Sequence, residues 1–388
     1  MSSTFDALGV DQDLVRALAK RGVTTPFAIQ AAALPDALAG LDILAESPTG
    51  SGKTLAFGLP LIARVAGANH APAALVLAPT RELATQIADE LAPLAAAKRL
   101  RIATVYGGVS LNKQAARARG AHILVGTPGR LNDLLERRLV SLDRVRILVL
   151  DEADRMLDMG FRPQVDRIVD RLPANRQTML FSATLRGPVT ELAHAYTVDA
   201  SRVSAELPPE TEQGEIRHTF VAVTAETKLD RLVDELNDVD RLALVFVRTK
   251  YGADKLARKL GRQNIQAATL HGNMSQGQRE RALARFASGR VTTLVATDVA
   301  ARGLDVDDIS HVINFDPPGA DADYVHRIGR TGRAGRDGNG ITFVLPEQHD
   351  DVHRLAQRLG HGRQVAEAGI RRTPSARAGT RSRRHRSR

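Results

Sequence analysis

The 388-residue chain contains no cysteine, which excludes disulfides, thiolate nucleophiles and cysteine-ligated zinc together. It has no tryptophan, four tyrosines and ten phenylalanines, so stacking of bases on aromatic platforms is not its main way of gripping a ligand. Long apolar runs are also missing. None reaches the length needed to span a bilayer, and the amino terminus (Met1-Ser-Ser-Thr-Phe5) lacks the basic-then-apolar layout of a signal peptide. A cytoplasmic location away from membranes is therefore expected. Acidic residues are absent from the last 18 positions, which hold eight Arg. The net charge of +10 is mostly a property of that tail, and the rest of the chain carries only about +2.

What is present is an ordinary globular composition, 43% hydrophobic and 25% charged, and enough length for two domains. Residues 1–40 read as helical. Short apolar runs then alternate with helix-length segments, at 41–45, 74–78, 102–106, 122–125, 147–150 and 178–181. The scheme resumes at 219–223, 242–247, 267–270, 293–296, 312–315 and 341–345. Near-continuous apolar runs of this kind suit strands buried on both faces of a parallel sheet. The pattern predicts two α/β domains, 1–206 and 216–360, joined by a polar, proline-containing linker at 207–215. A tail at 361–388 cannot bury a core and is expected to be disordered.

The stretch Ser47-Pro-Thr-Gly-Ser-Gly-Lys53-Thr54 lies between the first apolar run and a helix-length segment. A strand, a glycine-containing turn and a helix are the setting of a phosphate-binding loop. Thr49, Gly50, Ser51 and Gly52 would turn backbone N–H groups toward one centre, where the helix dipole adds positive charge. Lys53 can reach the β- and γ-phosphates of ATP, and Thr54 can offer its hydroxyl to Mg²⁺. Ser47 stands where the general pattern begins with Gly. About 100 residues on, the apolar run 147–150 leads into Asp151-Glu152-Ala153-Asp154. Acids at the carboxyl end of a buried parallel strand lie on the ligand edge of an open sheet. There Asp151 can hold Mg²⁺ through water and Glu152 can orient and deprotonate an attacking water. The same acids would also serve as an ordinary helix cap.

Together these two stretches resemble the DEAD-box RNA helicases, and the remaining motifs of that family follow in order. Gly22-Val-Thr-Thr-Pro26-Phe-Ala-Ile-Gln30 resembles its adenine-reading Q motif, with Phe5 upstream where the family keeps an aromatic. Gln30 carries an amide suited to bidentate pairing with adenine. Pro79-Thr-Arg-Glu-Leu-Ala84, Gly107-Gly108 and Thr127-Pro-Gly-Arg130 resemble the RNA-backbone motifs, and Ser182-Ala-Thr184 the coupling motif. In the second half, Val245-Phe-Val-Arg-Thr249, Gln276-Gly-Gln-Arg279, the run from Ala296 to Asp305 and His326-Arg-Ile-Gly-Arg-Thr-Gly-Arg333 complete the set. The resemblance covers about Phe5 to Leu345.

The resemblance implies two tandem RecA-like domains and ATP-driven local separation of RNA strands. It implies arginine fingers at Arg330 and Arg333, a contact from His326 to the coupling motifs, catalytic support from Asp154, Ser182 and Thr184, and a ribose contact from Asp305. RNA contacts are expected from Thr80, Arg81, Gly108, Thr127, Gly129 and Arg130, and in the second half from Thr249, Arg279, Thr297 and Gly303. Glycine-freed N–H groups with Arg and Thr side chains suit sugar-phosphate contacts that carry little sequence information. The expected partner is single-stranded or short duplex RNA, bound irrespective of sequence by a monomeric core. An ATP-gated RNA clamp that unwinds little shares every motif, and a DNA-directed helicase is the second alternative. The Arg-rich tail reads as a salt-sensitive RNA tether.

Overall fold

The computed structural model describes residues 4–48, 50–68, 71–205, 214–301, 306, 308–332 and 335–371. The chain divides into two compact units, Met1–Glu210 and Thr211–Arg388. The division falls inside the expected linker, whose residues 207–213 lie outside the described residues, as do tail residues 372–388.

The first unit is built on strands β1 (Ile43–Glu46), β2 (Ala74–Leu77), β3 (Ile102–Val105), β4 (Ile123–Gly126), β5 (Ile147–Leu150), β6 (Gln177–Ser182) and β7 (Ser201–Ser204). Their order across the sheet is β3-β4-β2-β5-β6-β1-β7, and neighbouring strands run parallel. Strand alternation sends successive side chains to opposite faces. Ala74 and Val76 of β2, with Ile147 and Val149 of β5, join one core, which includes Phe57 and Leu91. Leu75, Leu77, Leu148 and Leu150 join the other, with Leu131 and Ile168. Both faces are thus covered by helices, and each fully buried Leu or Val contributes roughly 1.5–3 kcal/mol.

The second unit repeats the plan with β8 (Ile216–Ala222), β9 (Leu242–Phe246), β10 (Ala267–Leu270), β11 (Thr293–Ala296), β12 (Ile309–Asn314) and β13 (Gly338–Val344). Their order is β10-β11-β9-β12-β13-β8, with neighbouring strands again parallel.

All twelve expected apolar runs become strands, and β7 is an addition. Its sequence Ser-Arg-Val-Ser buries nothing completely, because it is an edge strand that, among the described residues, pairs with β1 alone. Polar anchors hold it there. Ser201 N donates to Asp42 O at 2.8 Å, while buried Asp42 accepts from Thr178 N at 2.7 Å and Val198 N at 2.8 Å. The helical reading of 1–40 resolves into Gln12–Ala19 and Ala28–Ala39. The boundary expected at 361 needs correction. Helix Gly362–Glu367 follows it, and Val365 and Ile370 are buried in the core that contains Phe220, so packing continues to Ile370.

Candidate active site

In the first unit, β5, β6 and β1 lie side by side, so the residues after their carboxyl ends share one edge of the sheet. After β1 the loop leads into helix Lys53–Val65, whose N-cap is Gly52. Gly52 has φ +84°, and a Cβ there would meet Gln30 Nε2 at 2.4 Å and Phe27 Cδ2 at 2.5 Å. Only glycine combines that backbone with that approach. Gln30, almost completely buried, accepts from Phe27 N and donates from Nε2 to Gly52 O, both at 2.9 Å. Lys53 Nζ donates to Ser47 O at 2.8 Å. Ser47, in place of the usual glycine, is itself buried and hydrogen-bonds Ser51 through the hydroxyls, while Ser51 Oγ donates to Pro48 O at 2.8 Å. The departure from the general pattern therefore has a local role: the serine braces the loop.

After β5, Asp151 Oδ1 accepts from Glu152 N at 3.0 Å. Burial pushes the Asp151 carboxyl up to about 7, opposed by the nearby Lys53 ammonium and reinforced by Glu152. Glu152 adopts left-handed φ +54° and ψ +53°, uncommon for a side-chain-bearing residue and a mark of a constrained site. Its Oε2 is buried, has no hydrogen bond among the described residues and lies 3.5 Å from Arg155 Nε. Asp154 ties this strand end to β6. Its N–H donates to Ser182 Oγ at 3.3 Å, and its Oδ2 accepts from Ala183 N at 3.2 Å. Thr184 N also reaches Ser182 Oγ, at 3.4 Å, and Ser47 N donates to Ser182 O at 3.0 Å. Ser182 thus links the phosphate loop, the acidic run and the Ser-Ala-Thr segment.

A second group of loops follows β2, β3 and β4. Gly108 has φ +86°, and a Cβ there would lie 2.2 Å from Arg81 Nη1, so the glycine pair makes room for the Arg81 guanidinium. Thr80 caps helix Arg81–Ala97 by accepting from Leu83 N at 3.2 Å. Thr127 is the N-cap residue of helix Pro128–Glu136, and Gly129 is exposed with open space where a Cβ would sit. Arg130 points inward, donating from Nη1 to Val109 O and Gln114 Oε1, both at 2.9 Å.

In the second unit, Thr249 caps helix Lys250–Arg262, accepting from Gly252 N at 3.0 Å. Thr297 N donates to Leu270 O at 3.2 Å. Arg330 is buried at the end of helix Asp321–Ile328, which also carries half-buried His326. On the same helix Arg327 is clamped by Asp298, with Nη2 to Oδ2 at 2.7 Å. Its Nη1 reaches Asn314 Oδ1 at 2.9 Å and Asp316 O at 2.6 Å, and its guanidinium carbon lies 4.9 Å from the Phe246 ring centroid.

Comparison with known proteins agrees with this arrangement. The DEAD/DEAH box helicase family model matches residues 27–192 and the helicase conserved C-terminal domain matches 227–335. The chain is 41% identical to the DEAD-box ATP-dependent RNA helicase CshA of Geobacillus kaustophilus over 91% of its own length and 76% of that protein. It is 39% identical to CshA of Bacillus subtilis strain 168, over 92% and 72%. The chain belongs to the DEAD-box ATP-dependent RNA helicases. Among solved structures it is similar to S. cerevisiae Dbp5 bound to RNA and ADP BeF3, with TM-score 0.81 and 32% identity over 92% of this chain and 94% of that one. Mss116p bound to ssRNA and AMP-PNP gives TM-score 0.80 and 27% identity over 92% and 78%.

In this RNA-stimulated ATPase, Gln30, Gly50, Ser51, Gly52, Lys53, Thr54, Asp151, Glu152, Asp154, Ser182 and Thr184, the first-unit residues expected to serve ATP, lie around the carboxyl ends of β1, β5 and β6. Thr49, Gly303, Asp305 and Arg333 lie outside the described residues. Three expectations change. Phe5 is 2% exposed and shares the core with Ile29 and Phe57, because an isolated apolar ring next to a helix is drawn inside. Arg279 is buried, donating to His271 O at 3.2 Å and Ala300 O at 3.4 Å, so it joins internal loops instead of offering a free fork to RNA. Arg130 likewise supports the Gly108 loop from within. Sequence reasoning missed Arg155, whose partner Glu152 sits only three residues away, Arg327, whose partner Asp298 arrives with the fold, and Phe27, a ring 47% exposed beside Gly52. The signal for Phe27 was present, an aromatic inside the Gln30 motif.

Proposed function

We propose that this helicase binds ATP across the carboxyl edge of β1, β5 and β6, and that the chemistry there is water attack on the γ-phosphorus. The observation that carries the reading is the linkage of Lys53, Asp151, Glu152, Asp154 and Ser182 at three adjacent strand ends. Lys53 neutralises phosphate charge, loop N–H groups at the helix start cradle the phosphates, and Glu152 Oε2 accepts the proton of the attacking water. Gln30 reads the base edge while bracing the loop, and Phe27 offers the base a ring face. Arg330 and Arg333 supply guanidinium charge to the transition state.

Mg²⁺ fits the donors available: a buried carboxylate held up near 7, which a cation would return to its ionised form, and the Thr54 hydroxyl are hard oxygen ligands. When bound it would supply charge neutralisation between the phosphates.

The RNA partner is read as a single strand or short duplex gripped by its backbone at the loops of Arg81, Gly108, Thr127 and Gly129, with Thr249, Thr297 and Gly303 from the second unit. ATP and RNA each favour the state the other needs, a reciprocal coupling. A monomeric core working in the cytoplasm and local strand separation without long-range translocation complete the proposal. The test compares ATPase stimulation by single-stranded RNA and DNA, alongside displacement of a short RNA duplex. RNA-selective stimulation with ATP-dependent displacement is expected. Equal stimulation by DNA would overturn the assignment of RNA, and stimulation without displacement would favour the clamp.

A further inference from the structure

Residues 91–132 contain no Asp or Glu, where the chain's average acidic content would place about five. They do contain seven basic residues. Folding gathers these on one edge of the first unit. β3 is the edge strand of the sheet, helix Leu111–Arg119 packs along it, and Arg101 Nε donates to Gly120 O at 2.7 Å, joining the end of the helix to the strand entry. Lys98 is neutralised by Asp11 and Asp13, and Arg130 is turned inward. Arg99, Arg101, Lys113, Arg117 and Arg119 remain exposed, and none has an ion-pair partner among the described residues.

Helix stability does not account for this row. Arg117 and Arg119 in the last turn suit the helix dipole, but Lys113 in the first turn opposes it. Lys113 and Arg117 are also like charges four residues apart on one face, an arrangement that weakens a helix. The row is continuous with the loop of Gly107 and Gly108. That loop leads straight into the helix, and Arg130 fastens Val109 to Gln114 on the helix itself. From Leu111 to Arg119 the helix then carries the charges about 12 Å along the edge.

We propose that this edge is an accessory RNA track, which grips the phosphates of the strand flanking the core contact irrespective of sequence. The inference rests on the assignment of Arg81 and the Gly108 loop to RNA. An acidic protein segment would match the charges, but continuity with that loop favours RNA, and the chain's own Arg-rich tail has the wrong sign to cover the edge.

The test uses the full chain carrying Lys113→Glu and Arg117→Glu together, beside Arg81→Ala. Binding is measured against a short single-stranded RNA of about 6 nucleotides and a longer one of about 20, over a range of salt. Glutamate at 113 suits the helix dipole and glutamate at 117 opposes it by a similar amount, while the pair stays like-charged as in the parent, so thermal unfolding is expected to hold steady. The double variant should weaken binding of the longer RNA about tenfold, lower its salt slope by about 1–2 and change binding of the short RNA less than twofold. Arg81→Ala should weaken both. If the double variant binds the longer RNA as the parent does while Arg81→Ala weakens both, the accessory track is wrong and the core assignment stands. If Arg81→Ala affects neither RNA, the core assignment itself fails. Unchanged RNA binding with lost retention of a polyglutamate peptide would give the edge to an acidic protein and overturn the proposal.

Discussion

Arg155 Nε lies 3.5 Å from Glu152 Oε2, and both side chains are almost wholly removed from solvent. Among the described residues neither Arg155 Nη1 nor Glu152 Oε2 has a hydrogen-bond partner, so the pair is held by charge and leaves the carboxylate a lone pair to accept a proton. Removing one member of a buried pair typically costs about 3–5 kcal/mol, because the other charge is stranded. Arg155→Ala is expected to lower the unfolding free energy by about 3 kcal/mol and the RNA-stimulated turnover at least tenfold. Denaturant unfolding and steady-state ATPase assays check the two effects. Wild-type turnover in a destabilised Arg155→Ala protein would show that the pair has no part in catalysis.

Gln30 joins the base-reading motif to the phosphate loop through Phe27 N and Gly52 O. Gln30→Ala removes both bonds and should raise the KM for ATP about tenfold, while costing roughly 1–2 kcal/mol of stability. Gln30→Glu keeps the acceptor for Phe27 N but places a carboxylate against the Gly52 carbonyl. It should therefore be the worse ATP binder. Equal KM values for the two variants would contradict the bridging role.

Arg327 makes two bonds to Asp298 and two more to Asn314 and Asp316. A planar fork serves that many acceptors and an ammonium does not. Arg327→Lys should therefore destabilise the second unit by about 2–4 kcal/mol, close to the loss for Arg327→Ala. Thermal unfolding read in the second unit checks it, and a Lys variant as stable as wild type would refute it.

The His218 and His361 rings stack with centroids 3.9 Å apart, and His218 Nδ1 lies 2.9 Å from the Tyr324 hydroxyl. Burial lowers the His218 pKa to about 4, with His361 adding repulsion, and burial lowers His361 as well. Both rings are neutral when folded, whereas an unfolded histidine takes a proton near pH 6.5. Stability is thus full above pH 6.5 and declines as pH falls toward 4. For His218, partial solvation reduces the loss to about 1–2 kcal/mol. His218→Phe should flatten this part of the stability profile measured by urea unfolding, and an unchanged slope would exclude the ring as its source.

Most of the strand layout could be read directly, because strands such as Leu148 to Leu150 are apolar on both faces and stand out against polar helices. β7 could not be, since an edge strand such as Ser201–Ser204 needs no apolar pattern. Sequence motifs located Lys53, Asp151 and Ser182. They did not reveal that Arg279 and Arg130 turn inward, because guanidinium direction is set by carbonyls such as His271 O and Val109 O that arrive only with the fold. Ser47 departs from the loop pattern, and its role depends on a hydroxyl contact with Ser51 that only the folded loop creates.

The central claim, that Glu152 accepts the proton from the attacking water, is tested most directly by single-turnover ATP hydrolysis with Glu152→Gln at saturating ATP and RNA. The amide keeps the size and hydrogen-bonding reach of the side chain but cannot take the proton. The account predicts hydrolysis slowed by about 100-fold or more, with ATP and RNA affinities within a few-fold of wild type. Hydrolysis at the wild-type rate would contradict it.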